Sequence, residues 1–328
     1  MTLNVHLLNA PDVETLAYLR AQLDPNVVVS AGETVPETAD LHILVGGRPT
    51  RDQFAANPNL HTLIIPWAGL PAGARDLVRR EYPHVAIHNL HHNAAPVAEL
   101  ALALFLAAAK FIVPYDRALR RRDWRMRYAR PGPSVLLDGK TALVLGYGHI
   151  GRRVARGCRA LGMTVLAVRR NSTATADADA DEIHPPEALR DLLPRAQALL
   201  ICLPHTPHTD GLLGAAELAL LPPRSVLVNI GRGAIVQEQA LYAALQNGAL
   251  HAAGLDVWYN YPADVEARSQ TPPSAYPFHE LDNVVMSPHR GGDTADTDRL
   301  RMTHLAALLN AAARGEPIPN RVDIEAGY

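Results

Sequence analysis

Gly146-Tyr147-Gly148-His149-Ile150-Gly151 is the stretch that most limits what this chain can fold into. A strand-like run at 141–145 precedes it, and Ile150, Val154, Ala155, Cys158 and Leu161 follow on one helical face. A second strand-like run at 164–168 completes a βαβ unit. Gly146 permits a tight turn, Gly148 lets a pyrophosphate approach the backbone, and Gly151 lets helix lie close on strand. The N–H groups and dipole at the helix start, around His149 and Ile150, favour phosphate there. A merely structural turn needs glycines but not this strand–turn–helix–strand frame, so the pattern predicts a dinucleotide site.

The second strand lacks the residue that would make the site specific for NAD. An Asp or Glu roughly 20 residues past the glycines accepts hydrogen bonds from the ribose hydroxyls in such sites. Here Arg169 and Arg170 stand in that place, followed by Asn171 and Ser172. Two guanidiniums suit a 2′-phosphate, and no carboxylate repels it. The alternative is a solvated surface pair. NADP is the expected cofactor, ahead of NAD.

A chain of 328 residues suggests two domains rather than one core. A net charge of −2 offers no basic excess to attract nucleic acid or an anionic membrane. Cys158 and Cys202, the two cysteines, lie in apolar segments and read as reduced core residues, with no metal site indicated. The N-terminus lacks a basic region followed by an apolar one, and the most apolar stretch, 100–109, is too short to span a bilayer. A cytoplasmic location is expected.

Along the first hundred residues, strand-like runs at 5–8, 27–29, 41–45, 62–66 and 86–88 alternate with helical stretches at 11–23 and 72–81. That alternation predicts a parallel α/β domain. Residues 99–113 are apolar nearly all round, as in a helix buried between domains. A basic stretch from Arg117 to Arg130 reads as a mobile, solvated segment, with Trp124 a candidate subunit contact. A second alternating series follows, with six strands at 141–145, 164–168, 198–203, 225–230, 252–255 and 284–286. The acidic Ala/Asp run at 174–182 and the proline-rich run at 262–277 read as loops, and 294–314 as a returning helix.

Two short segments carry candidate chemistry. Asn229-Ile-Gly-Arg232-Gly233 follows the fourth strand of the second series, and Ser287-Pro-His289-Arg290 follows the sixth. Ligands bind at such carboxyl ends in doubly wound sheets. Arginine offers a bidentate clamp for a carboxylate, and histidine moves protons near neutral pH. On local signals alone, Arg232 reads equally as a loop arginine and His289 as a satisfied polar residue.

From about residue 60 to the C-terminal helix the chain resembles the D-isomer-specific 2-hydroxyacid dehydrogenases. The resemblance rests on motifs in order: Trp67-Ala-Gly-Leu70, Asn93-Ala-Ala-Pro-Val-Ala-Glu99, Trp124, Leu137-Asp-Gly-Lys-Thr141 and the glycine turn. After these come Cys202-Leu-Pro-His-Thr-Pro-His-Thr209, Val228-Asn-Ile-Gly-Arg-Gly233, Gly254-Leu-Asp-Val257 and Ser287-Pro-His289. It implies an α/β protein with two Rossmann-like, doubly wound parallel-sheet domains, an active-site cleft between them, and a homodimer. The substrate domain would be flavodoxin-like, residues 1–112 plus 295–328, and the dinucleotide-binding Rossmann domain would be 113–294. Arg232 matches the residue that binds the substrate carboxylate and carbonyl, and His289 the acid/base at the carbonyl oxygen. Ala68 and Gly69 match the loop whose N–H groups hold the carboxylate, and Asn93 matches an asparagine near the substrate. Pro204, Ile230 and Asp256 match positions around the nicotinamide.

One position departs from the family pattern. The family usually places a Glu five residues after the Asp of its Asp-Val motif, paired with the catalytic histidine. Here that position holds Tyr261, with Asp264 and Glu266 on the loop beyond as candidates to fold back. A tyrosine hydrogen-bonds an imidazole but does not stabilise imidazolium as a carboxylate does. The resemblance implies an enzyme acting on CH–OH donors, moving a hydride between NADP(H) and a small 2-oxo/2-hydroxy acid, of the glyoxylate/hydroxypyruvate reductase type. The alternatives are a formate- or phosphite-type dehydrogenase of the same family, or a non-enzymatic dinucleotide-sensing protein of the corepressor type.

Overall fold

The computed structural model describes residues 2–35, 40–130, 132–170 and 174–327. Asn171 and Ser172, read above with the arginine pair, lie outside the described residues. The chain divides into two compact units, residues 1–93 with 293–328, and residues 94–292.

The first unit is built on five parallel strands: β1 (Leu3–Leu7), β2 (Val27–Ala31), β3 (Ile43–Val45), β4 (Thr62–Ile65) and β5 (Ala86–Asn89). Their order is β2-β1-β3-β4-β5, the flavodoxin-type order. Strands covered on both faces become continuous apolar runs, and all four residues of β4 are buried. Helices α1 (Val13–Arg20), α2 (Arg51–Ala55) and α3 (Ala72–Glu81) connect them, and α11 (Thr297–Ala313) packs on α1 and β2. Helix α2 is too short to show a period in sequence. It is nucleated by a capping box in which Thr50 and Gln53 satisfy each other's backbone N–H.

The second unit carries a seven-stranded parallel sheet. Its strands are β6 (Thr141–Leu145), β7 (Thr164–Val168), β8 (Glu182–His184), β9 (Ala198–Ile201), β10 (Val226–Asn229), β11 (Ala252–Leu255) and β12 (Val284–Met286). The order is β12-β11-β10-β9-β6-β7-β8, so the chain reverses direction at β6 and β9, where dinucleotides bind in this topology. Among the described residues, four helices of two turns or more serve the unit: α4 (Ala94–Lys110), α5 (Ile112–Arg120), α7 (His149–Ala160) and α10 (Glu238–Gln246); α6 (Arg125–Tyr128), α8 (Leu189–Leu192) and α9 (Ala215–Leu218) are single turns.

Helix α4 groups with this second unit, so the division falls at 93/94 rather than at the expected 112/113. The reason is packing: α4 lies against α7, β10 and β11. Glycines make that approach possible. A Cβ on Gly157 would meet Leu102 Cδ1 at 2.3 Å, and one on Gly254 would meet Leu104 Cβ at 2.8 Å.

Three sequence expectations change. The apolar run expected at 99–113 is two helices bent by 66°, because Phe111 adopts a left-handed φ of 55°. No single helix among the described residues is long and apolar enough to cross a membrane. The basic stretch expected to be mobile forms α5 and α6, with Trp124 at the start of α6. The sheet has a seventh strand, β8, whose Glu182 ends the acidic run expected to be a loop. Residues 174–181 of that run form the expected loop, and its Asp177, Asp179 and Asp181 pair with Arg152, Arg156 and Arg159 on α7.

Candidate active site

The glycine turn joins β6 to α7 at the reversal of the sheet. Gly146 has φ 93°, and a Cβ there would meet the backbone of Cys202 and Leu203 at 2.8–2.9 Å. A Cβ on Gly151 would lie 2.0 Å from the Gly146 carbonyl oxygen. At Gly148 an added Cβ meets nothing within 4 Å, so the backbone is open to a ligand on that side. Gly148 is also the N-cap of α7 and offers no side-chain cap, and the positive end of the helix dipole suits an anion there. These residues fit a dinucleotide pyrophosphate. Arg169 and Arg170 are exposed at the end of β7, where Arg169 N–H donates to the His184 carbonyl at 2.9 Å. Pro204 and Ile230 follow β9 and β10, with Ile230 buried.

The polar centre forms from three loops of the same unit. After β10, Asn229 Nδ2 donates to the Arg232 carbonyl (3.0 Å), while Gly231 N–H donates to Asn229 Oδ1 (3.0 Å), so the asparagine shapes the turn that presents Arg232. Arg232 Nη1 donates to the Gly231 carbonyl at 2.7 Å. A Cβ on Gly233 would meet the Trp258 carbonyl oxygen at 2.4 Å, so this turn and the one after β11 pack backbone to backbone.

After β12 the chain runs through Ser287 to His289, which has a left-handed φ of 59°. Asp256, only 2% exposed, organises this segment. Its carboxylate accepts from Ser287 Oγ (2.5 Å), Arg290 N–H (2.9 Å) and Gly291 N–H (3.0 Å). Trp258 Nε1 adds a bond to the Ser287 carbonyl at 2.8 Å. The unusual backbone at His289 is therefore held from both sides, as strained residues at functional sites must be.

Tyr261 lies beside the imidazole. Its Oη accepts from Trp258 N–H (3.1 Å) and sits 2.9 Å from His289 Nδ1. When the neutral ring carries its proton on Nε2 the phenol donates to Nδ1, and when Nδ1 is protonated the phenol oxygen accepts. Desolvation first, and then the Arg232 guanidinium, push His289 below the ordinary imidazole pKa, while Asp256 pulls weakly the other way. Tyr261 is raised, chiefly by desolvation. Neither acidic residue of the following loop takes the missing Glu's place: Asp264 Oδ1 accepts from Ala267 N–H (2.8 Å), and Glu266 begins a 3-10 turn.

In the first unit, the Ala68–Gly69 loop follows β4, and Asn89 Nδ2 pins it by donating to the Ala68 carbonyl at 2.7 Å. Asn93 Oδ1 is buried without a hydrogen-bond partner, as are His92 Nδ1 and Arg301 Nε. Buried polar atoms are normally paired, so these three mark a place where binding capacity is unspent. Sequence reasoning missed His92 and Arg301, and it missed how Trp258 and Ser287 hold the His289 segment. The doublet Ser287-Pro288 was visible, but nothing in the spacing revealed that the serine serves Asp256.

Residues 102–291 match the family model for the D-isomer specific 2-hydroxyacid dehydrogenase, NAD binding domain. The chain belongs to the D-isomer-specific 2-hydroxyacid dehydrogenase family. Within this dehydrogenase family, glyoxylate/hydroxypyruvate reductase B of Pectobacterium atrosepticum is 32% identical over 287 residues, covering 85% of this chain and 86% of that protein. D-3-phosphoglycerate dehydrogenase of Methanocaldococcus jannaschii is 29% identical over 297 residues, covering 89% of this chain. The chain spans about half the length of relatives of that kind, 53% of this one and 52% of its Mycobacterium leprae counterpart. Among solved structures, a family member from Xanthobacter autotrophicus Py2, in complex with NADPH and MES, superposes with a TM-score of 0.80 at 27% identity, covering 100% of both chains.

Proposed function

We propose that this chain is an oxidoreductase that reduces small 2-oxo acids to 2-hydroxy acids, of the glyoxylate/hydroxypyruvate reductase type, with NADP as the preferred cofactor. The observation that carries the reading is the placement of Arg232 after β10 and of His289, hydrogen-bonded to Tyr261, after β12, at the carboxyl ends of a sheet with the dinucleotide-binding topology. Gly146, Gly148, His149, Ile150 and Gly151 would hold the pyrophosphate, Arg169 and Arg170 the 2′-phosphate, and Pro204, Ile230 and Asp256 the nicotinamide side. When bound, the cofactor supplies a hydride to the carbonyl carbon.

The chain's own residues do the rest. Arg232 presents a planar array of donors to the substrate carboxylate, with Ala68, Gly69 and Asn93 as further substrate-binding candidates. His289 gives a proton from Nε2 to the carbonyl oxygen as negative charge develops there. Tyr261 orients the ring through Nδ1 without adding charge. Imidazolium must turn its Nδ1–H toward an Oη that already receives the Trp258 amide, so the charged form gains less here than beside a carboxylate.

The protein is also proposed to work as a homodimer, as its resemblance to the family implies. A panel of glyoxylate, hydroxypyruvate, pyruvate and phenylpyruvate with NADPH or NADH, followed by loss of nicotinamide absorbance, tests the reading. Turnover of at least one 2-oxo acid, faster with NADPH, is the expected result; no turnover across the panel would remove it.

A further inference from the structure

Tyr147 sits between the first two glycines of the turn and is 1% exposed, an unusual place for a phenol. A buried hydroxyl needs a partner. Here it donates to Asp177 Oδ1 at 2.6 Å, and Asp177 lies on the chain returning from Arg169 and Arg170 toward β8. The same carboxylate accepts from Asp179 N–H (2.9 Å) and Ala180 N–H (3.0 Å), and its Oδ2 pairs with Arg152 at 3.1 Å. Arg152 in turn stacks over the Tyr147 ring, with Cζ 4.9 Å from its centroid. The backbone repeats the link: Gly146 and Tyr147 N–H both donate to the Val168 carbonyl, directly before Arg169. The backbone thus ties the glycine turn to the end of β7 just before the arginine pair, and the Tyr147 side chain ties it to Asp177 on the chain beyond them.

We propose that Tyr147 and Asp177 form a positioning pair that holds the Arg169-Arg170 segment in register with the glycine turn, and so sets how strongly a 2′-phosphate is bound. The proposal rests on the NADP reading of those arginines. A dinucleotide spans both places, so freezing their separation before binding removes an ordering cost from the ligand that touches both. A ligand lacking the 2′-phosphate gains little from it.

Calorimetric titration of the parent, Tyr147→Phe and Asp177→Asn with 2′-phospho-ADP-ribose and with ADP-ribose tests this without turnover. The parent should prefer the phosphorylated probe. Each variant should reduce that preference by roughly three- to tenfold, a change within reach of one hydrogen bond, while ADP-ribose affinity changes less than about twofold. Tyr147→Phe is the milder variant, because Asp177 keeps Arg152 and two N–H donors; should it fail to fold by circular dichroism, Asp177→Asn carries the comparison. A preference retained in the folded variants overturns the proposal and leaves the NADP reading standing. Equal affinities in the parent overturn both.

Discussion

Arg232 and His289 show how few side chains the proposed chemistry requires. In the free chain Arg232 spends Nη1 on its neighbour's carbonyl, and its remaining donors are open to a carboxylate. Arg232→Ala should therefore raise KM for the 2-oxo acid and lower kcat, for a total loss in kcat/KM of about 3 kcal/mol, as for hydrogen bonds to charged groups. Undiminished kcat/KM in that variant would show that the carboxylate is held elsewhere. The pH dependence follows from Tyr261. His289 titrates below its ordinary value of about 6.5, and reduction needs its protonated form. The kcat/KM for reduction should fall as pH rises through a limb at or below about 6.5. Tyr261→Glu should move that limb to higher pH, because a carboxylate favours imidazolium. A parent limb above pH 8 would contradict the arrangement.

At the scale of elements, the proposed preference for NADP rests on α7 and β7. Arg169→Asp places a carboxylate where a 2′-phosphate would sit, and the NADPH/NADH ratio of kcat/KM should drop by roughly tenfold or more, about 1.4 kcal/mol per tenfold. An unchanged ratio would count against the arginine pair. Gly151→Ala tests the close approach of helix to strand. Its Cβ would fall 2.0 Å from a backbone oxygen, which cannot swing aside as a side chain does. A shift of α7 costs about 1–3 kcal/mol of stability by overpacking and moves the phosphate-facing N–H groups. Weaker ADP-ribose binding with a lower Tm is expected, and parent-like values of both would refute this account. Elements of this kind were legible where periodicity or glycine spacing was strong. β8 escaped because two of its three residues, Glu182 and His184, are polar, and α2 because five residues are too few to show a helical period.

For the molecule as a whole, acid stability depends on histidines kept neutral inside. His92 is 5% exposed, and burial, with Arg301 and His304 nearby, lowers its pKa to about 4. The unfolded chain binds this proton near pH 6.5, so a folded pKa below that makes neutral His92 a source of stability above pH 6.5. That contribution fades as pH falls from about 6.5 to about 4, with an upper bound of about 3 kcal/mol. Urea midpoints between pH 7.5 and 4.5 should fall less steeply in His92→Gln than in the parent. Parallel curves would show that His92 is not the group responsible.

By itself the sequence determined the parallel α/β class and the dinucleotide turn, which rest on local rules, whereas Arg232, His289 and Tyr261 stood out only through the resemblance to the family. Alternation of apolar runs, glycine spacing and position at strand ends are all readable over a few residues. The tertiary structure alone decided what those residues touch. That Asp256 gathers Ser287, Arg290 and Gly291, that Tyr261 reaches His289 Nδ1 while receiving the Trp258 amide, and that Tyr147 bonds Asp177 are pairings set by the sheet's strand order. Hydrogen bonds act over about 3 Å, whereas these partners, Trp258 and Tyr261 excepted, stand 28 to 35 residues apart in sequence, and only folding brings them within reach.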